Sequence, residues 1–134
     1  QILFLIGVVV SFATGSSWGV WALGMPIALP MANAMGIPLT LAIGAVVSGG
    51  LFGDHCSPIS DTTIQSSTSA CCDHLQHVKT QLPYALTVGI SSLIGFLFAG
   101  LVAPVLALPV TLVCIIAALL VMKNISRKQA AVAA

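Results

Sequence analysis

GDHCSPISDTT, residues Gly53 to Thr63, interrupts a chain that is otherwise almost wholly apolar. It holds Asp54 and Asp61, two of the three acidic residues, with His55, Pro58 and the hydroxyls of Ser57, Ser60, Thr62 and Thr63. Pro58 lacks an N–H and would break a continuing helix, but it suits the first turn of a new one. Ser57 before it is a good N-cap; Ser60 or Asp61, followed by Thr62 and Thr63, is an alternative one turn later. The stretch therefore predicts an incoming helix, Leu39 to Phe52, ending near Gly53, and an outgoing helix starting between Ser57 and Asp61. The end of the first helix exposes carbonyls and its negative dipole end, which favour a cation. Asp54 lies beside those carbonyls. Carboxylate, carbonyls and hydroxyls together are the oxygen ligands that a small hard cation such as Na⁺ takes.

The composition sets the medium. Of 134 residues, 58% are hydrophobic and 5% charged, with a mean hydropathy of +1.12. Soluble domains are typically about 25% charged. Four basic and three acidic residues cannot cover a water-facing surface, so the fold class is all-α integral membrane. A net charge of +1 offers no basic patch for nucleic acid. The start, "ILFLIGVVVSF", follows no positive n-region and reads as a chain cut inside a helix rather than a signal peptide. The expectation is the C-terminal part of a larger protein. The four cysteines have neither metal nor disulfide spacing and read as small buried hydrophobes.

Working outward, two runs reach the ~20 apolar residues of a span. Residues 83–103 lie between Lys79 and Pro104, and residues 105–122 end at Lys123; their short link predicts a tight helical hairpin. Positive residues favour the cytoplasmic side. Lys79 and the basic tail, 123–134, are both cytoplasmic only if 83–103 runs outward and 105–122 inward. In the first half, 1–35 is apolar except for "TGSSWG" at Thr14–Gly19, and 37–72 carries the acidic stretch near its middle. Each is expected to cross as a broken helix, or to enter and turn back as a re-entrant hairpin. Non-helical backbone at membrane depth survives only buried in protein or beside a wet cavity. Two neighbouring interruptions point to one shared site near the midplane, as discontinuous helices form in secondary transporters.

A charge at a helix centre in a membrane costs ~2.5–3.5 kcal/mol, so Asp54 and Asp61 call for a reason. A protonated carboxyl binds Na⁺ poorly, and a carboxylate holding Na⁺ holds protons poorly; that mutual exclusion is the core of ion-for-proton exchange. The structural alternative is a helix cap for Asp61 and a watery loop for Asp54. Thr14, Ser16 and Ser17 offer neutral oxygens, with helix packing by small residues as the alternative. Trp18 and Trp21 fit interfacial anchors or cavity walls. Asp73, His74, His77 and Lys79 mark an exit into water, read as a solvated loop; a metal at His74 and His77 lacks further ligands. Gln65, Thr68 and Ser69 share a face that should look into the bundle or a water path.

These motifs resemble the NhaC family of sodium/proton antiporters. The resemblance rests on "ATGSSWGVWALGMPIA" (13–28), "GDHCSPISDTTIQSS" (53–67) and "CDHLQHVKTQLPYAL" (72–86), about the first two-thirds of the chain. It implies a multi-pass antiporter of the bacterial cytoplasmic (inner) membrane, built from inverted repeats, not an enzyme and without a cofactor. It implies a sodium/proton site formed by Asp54, Ser57, Asp61, Thr62 and Thr63 with Thr14, Ser16 and Ser17. The expected partners are the lipid bilayer, the transported Na⁺ and H⁺, the N-terminal half of the same chain and, as an open alternative, a second copy in a homodimer. Some members are similar to exchangers of organic anions such as malate and lactate. A channel or a non-transporting membrane scaffold is the rival reading.

Overall fold

The computed structural model describes residues 1–132, with side chains through Asn124. Among them the regular structure is helical: α1 (Ile2–Thr14), α2 (Ser17–Ala34), α3 (Leu39–Cys56), α4 (Asp61–Ser69), α5 (His74–Leu101) and, after a 3-10 turn at Pro104–Leu106, α6 (Ala107–Val132). Three are long and apolar enough to cross a membrane: α3, α5 and the segment Pro104–Asn124.

Segment 1–35 turns back on itself. Gly15, with φ of 66°, ends α1 in the left-handed conformation that glycine adopts without strain, and its N–H bonds to Ser11 O. Ser16, extended, then caps α2. The two helices run in opposite directions along α3. Side chains at Gly49 and Gly53 would fall on the carbonyls of Phe4 and Val8, and Ser57 Oγ donates to Phe12 O at 2.8 Å, so α1 is parallel to α3. A side chain at Gly24 would meet Val46 and Trp21 Nε1 donates to Val47 O at 3.4 Å, so α2 is antiparallel. Segment 1–35 is thus two helices, Ile2–Thr14 and Ser17–Ala34, joined by the turn at Gly15–Ser16.

Helix packing in lipid gains little from apolar burial and depends on close approach and hydrogen bonds. The α1–α3 seam uses both. Glycines 49, 50 and 53 let the backbones meet, and Ser11 Oγ, fully buried, donates to Gly50 O at 2.6 Å. Val20, Ala28 and Val46 make a small apolar core between α2 and α3. Phe4, 1% exposed, stacks on Phe52 and tilts against Phe96, tying α1 to both α3 and α5.

Two turns share one chemistry. After α2, Gly36 is left-handed and Ile37 N–H bonds to Ala32 O; after α4, Cys71 takes φ of 51° and Cys72 N–H bonds to Ser67 O. Both are Schellman closures, the second without the usual glycine.

Several expectations on boundaries change. Helix α3 does not end near Gly53 but runs to Cys56, because the residue before a proline is the one driven out of helical space. Its 18 residues, about 27 Å, suffice to cross a hydrocarbon core. The break therefore falls after the end of α3, a few residues past the midpoint of 37–72. Gln81 Nε2 donates to His55 O at 3.0 Å, which sets the break level with the early turns of α5 and away from the middle of that helix. The expected solvated loop at 73–79 is the start of α5: Asp73 caps it by accepting from Gln76 N–H at 2.8 Å, and Pro83 sits inside the helix. The expected pair 83–103 and 105–122 is the α5–α6 hairpin, displaced at both outer ends. Helix α6 continues through 123–132, where a tail was expected; residues 133–134 lie outside the described residues, and the outward and inward directions of the pair are not fixed by the fold.

Candidate ion site at the helix break

Residues 57–60 separate α3 from α4. Ser57 and Ser60, 1% and 0% exposed, are buried deeper than most apolar side chains of the chain. Ser57 does not cap the outgoing helix, because its hydroxyl is given to Phe12 O. Ser60 caps α4 instead, accepting from Thr63 N–H at 3.4 Å. Pro58 thus lies in the turn rather than in the first turn of a helix, closed by Ser60 N–H to Ser57 O.

Asp54, near the end of α3, is 2% exposed. Thr62 Oγ1 donates to its Oδ2 at 2.9 Å and stands 2.8 Å from Ser60 Oγ. Carboxylate, threonine and serine so form one hydrogen-bonded chain across the break. Thr63, 2% exposed, keeps its Oγ1 without a partner. Buried polar atoms nearly always find one, so this leftover oxygen, one residue past the threonine that bonds Asp54, is an unspent acceptor on the buried face of α4. Carbonyls at the end of α3 add further oxygen, and Ser57 and Thr62 keep lone pairs after donating their protons.

The tip of the α1–α2 hairpin sits on this break. A β-carbon on Gly15 would lie 2.6 Å from Ile59 O, so the two sequence interruptions meet, as expected. The hydroxyls beside Gly15 are turned locally: Thr14 Oγ1 donates to Val10 O at 2.8 Å and Ser16 Oγ accepts from Gly19 N–H at 3.5 Å. Ser17 is buried. Hydrogen bonds link none of the three to Asp54. Asp61 also stands apart. It is the first residue of α4 and exposed, where a negative charge suits the positive helix end.

The buried face of α4 is Thr63 and Ser67; Gln65, Thr68 and Ser69 lie on its exposed side. Trp18 is 75% exposed and meets Trp21 edge-on. The four cysteines are free. No group of three or more metal-binding side chains occurs among the described residues. A groove of about 580 Å³ runs along α3 and α5, lined by Phe52, His55, Ser66, His77, Gln81 and Tyr84 among others, and Asp54 is not in its wall. Sequence reasoning missed His74. Its ring reaches both Pro58 O and Ser67 Oγ, a role no local spacing signals.

Three helices long and apolar enough to cross a membrane, with a buried carboxylate at a helix break, make this a multi-pass membrane protein. Comparison sharpens the class. The model of the Na⁺/H⁺ antiporter family matches residues 1–101, and the chain belongs to that family. It is 36% identical over 97 residues to the Malate-2H(+)/Na(+)-lactate antiporter of Bacillus subtilis, covering 69% of this chain and 21% of that one. It is 40% identical over 100 residues to the arginine/ornithine antiporter ArcD of Halobacterium salinarum, 74% of this chain and 20% of that one. It is 36% identical over 97 residues to the Na(+)/H(+) antiporter NhaC of Alkalihalophilus pseudofirmus, 72% of this chain and 21% of that one. The chain spans about a fifth of the length of these relatives. No solved structure matches it. The matched region holds the hairpin, the break and α5; α6 lies beyond it.

Proposed function

We propose that the protein exchanges Na⁺ for H⁺ across the bacterial cytoplasmic membrane, with its C-terminus cytoplasmic, and that this chain supplies one wall of the ion site. Asp54 carries the proposal: a carboxylate 2% exposed, hydrogen-bonded by Thr62, at the end of a helix whose carbonyls favour a cation. Ionised, Asp54 takes Na⁺ with the Thr62 hydroxyl oxygen beside it, and Ser57 and Thr63 offer further hydroxyls from the same segment. Protonated, it loses the charge that holds the cation. One carboxyl therefore serves Na⁺ or H⁺ but not both, which couples their opposite movements. Na⁺ and H⁺ are cargo, and the reading needs no cofactor. The opposite wall belongs to an N-terminal half of the protein, related to this one as an inverted repeat. Asp61 influences the approach to the site rather than the binding of the ion.

Relatives named for malate and lactate and for arginine and ornithine support a second reading, in which an organic ion shares the cycle. The test is a cargo screen of the full-length protein in proteoliposomes under an imposed pH gradient. Na⁺-dependent proton release without any organic ion supports Na⁺/H⁺ exchange. Release that starts only when a carboxylic or amino acid is added moves the assignment to coupled organic-ion exchange. Conductance without coupling would make the protein a channel.

A further inference from the structure

We infer that His74, the first residue of α5, is a positioning residue that grips the helix break at Pro58, next to the residue on which the hairpin tip sits. Its Nε2 lies 2.6 Å from Pro58 O. A carbonyl can only accept, so Nε2 carries the hydrogen and donates it. Its Nδ1 lies 3.0 Å from Ser67 Oγ, on the buried face of α4. The ring thus spans from the break to the far end of α4 across sixteen residues of chain. The turn at Ala70–Asp73 makes this reach possible: a left-handed Cys71 closes α4, Asp73 caps α5, and the next side chain points back over Ser67.

Pro58 has no N–H, and its carbonyl is anchored from outside the break by this ring. Two residues further on, Ser60 meets Thr62, and Thr62 bonds Asp54. At the next residue, Ile59 O backs onto Gly15 of the hairpin. Gly15 and His74 both hold the break, so α5 acts on the carboxylate through the segment that carries Thr62.

The inference rests on the ion-exchange reading for its effect on transport, but the grip itself is measurable without transport. His74→Gln places an amide N–H near the Nε2 position; His74→Asn ends near Nδ1 and falls short of Pro58. In the full-length protein in detergent, hydrogen exchange of the peptide covering Ser57–Thr63 should rise about three- to tenfold for His74→Ala and His74→Asn, the factor one lost hydrogen bond supports, and stay within about twofold for His74→Gln. In proteoliposomes the same two variants should raise the KM for Na⁺ by a similar factor, with the maximal rate little changed. The Asn–Gln pair decides the matter if the Ala variant does not fold. Unchanged exchange in all variants, or equal acceleration with no recovery in Gln, would overturn the inference. If the Asn–Gln split appears in hydrogen exchange while the unmutated protein moves no Na⁺, the grip stands and the transport reading alone fails.

Discussion

The two halves of the chain hold themselves together differently. In α1–α4, glycines bring backbones into contact, and serine and threonine hydroxyls cross from helix to helix: Ser11 to Gly50 O, Ser57 to Phe12 O, Thr62 to Asp54. In α5–α6, the outer hairpin, Thr87 Oγ1 reaches Met122 Sδ at 3.4 Å and Gly95 admits Thr111 and the Ala107 carbonyl, while large apolar side chains such as Leu108, Val113 and Ile116 face outward. Apolar side chains against lipid or against a neighbour gain nearly the same free energy. Position must then come from hydrogen bonds and close backbone contact, and the chain concentrates both where a buried carboxylate has to be held.

That contrast can be broken by substitution. The largest effect should come from Gly53→Ala, whose methyl would fall on Val8 O and lie 2.8 Å from Ser11 Cβ. It should part α1 from α3 and cost about 3 kcal/mol or more, read as loss of the monodisperse protein on size exclusion. Gly44→Ala, whose methyl meets Phe96 at 3.6 Å, should leave the same profile intact. Next comes Thr62→Val, which removes the donor to Asp54. The KM for Na⁺ should rise about tenfold, as expected for a hydrogen bond to a charged group. Ser57→Ala deletes the bond to Phe12 O and should lower unfolding free energy by about 1 kcal/mol, seen in thermal unfolding in detergent. The smallest change has the opposite sign. Cys71→Gly relieves a left-handed non-glycine and should stabilise by about 0.5–1 kcal/mol.

Much of this was legible in the sequence where a residue acts on its own neighbourhood. Pro58 announces a break, Gly15 a turn, and a lipid-soluble chain makes Asp54 conspicuous. What the reading missed depends on distant partners. Whether Ser57 or Ser60 caps α4 is decided by Phe12, forty-five positions away, which takes the Ser57 hydroxyl. The start of α5 was hidden because His74–Gln81 is polar, and its helical state depends on the Asp73 cap and on docking against His55 and Pro58. The folding of 1–35 into two helices is tertiary too, since the glycine face of α3 receives α1 and α2 in opposite directions.

Ion exchange at this break turns on one carboxyl, that of Asp54. Full-length protein carrying Asp54→Asn, reconstituted beside Asp61→Asn and the unmutated chain, should be compared for Na⁺-driven proton release after matching the amount of folded protein. The prediction is loss of release to the level of empty vesicles for Asp54→Asn and retained release for Asp61→Asn. Retained release in the Asp54 variant, or its loss only in the Asp61 variant, would contradict the assignment of the ion to the buried break.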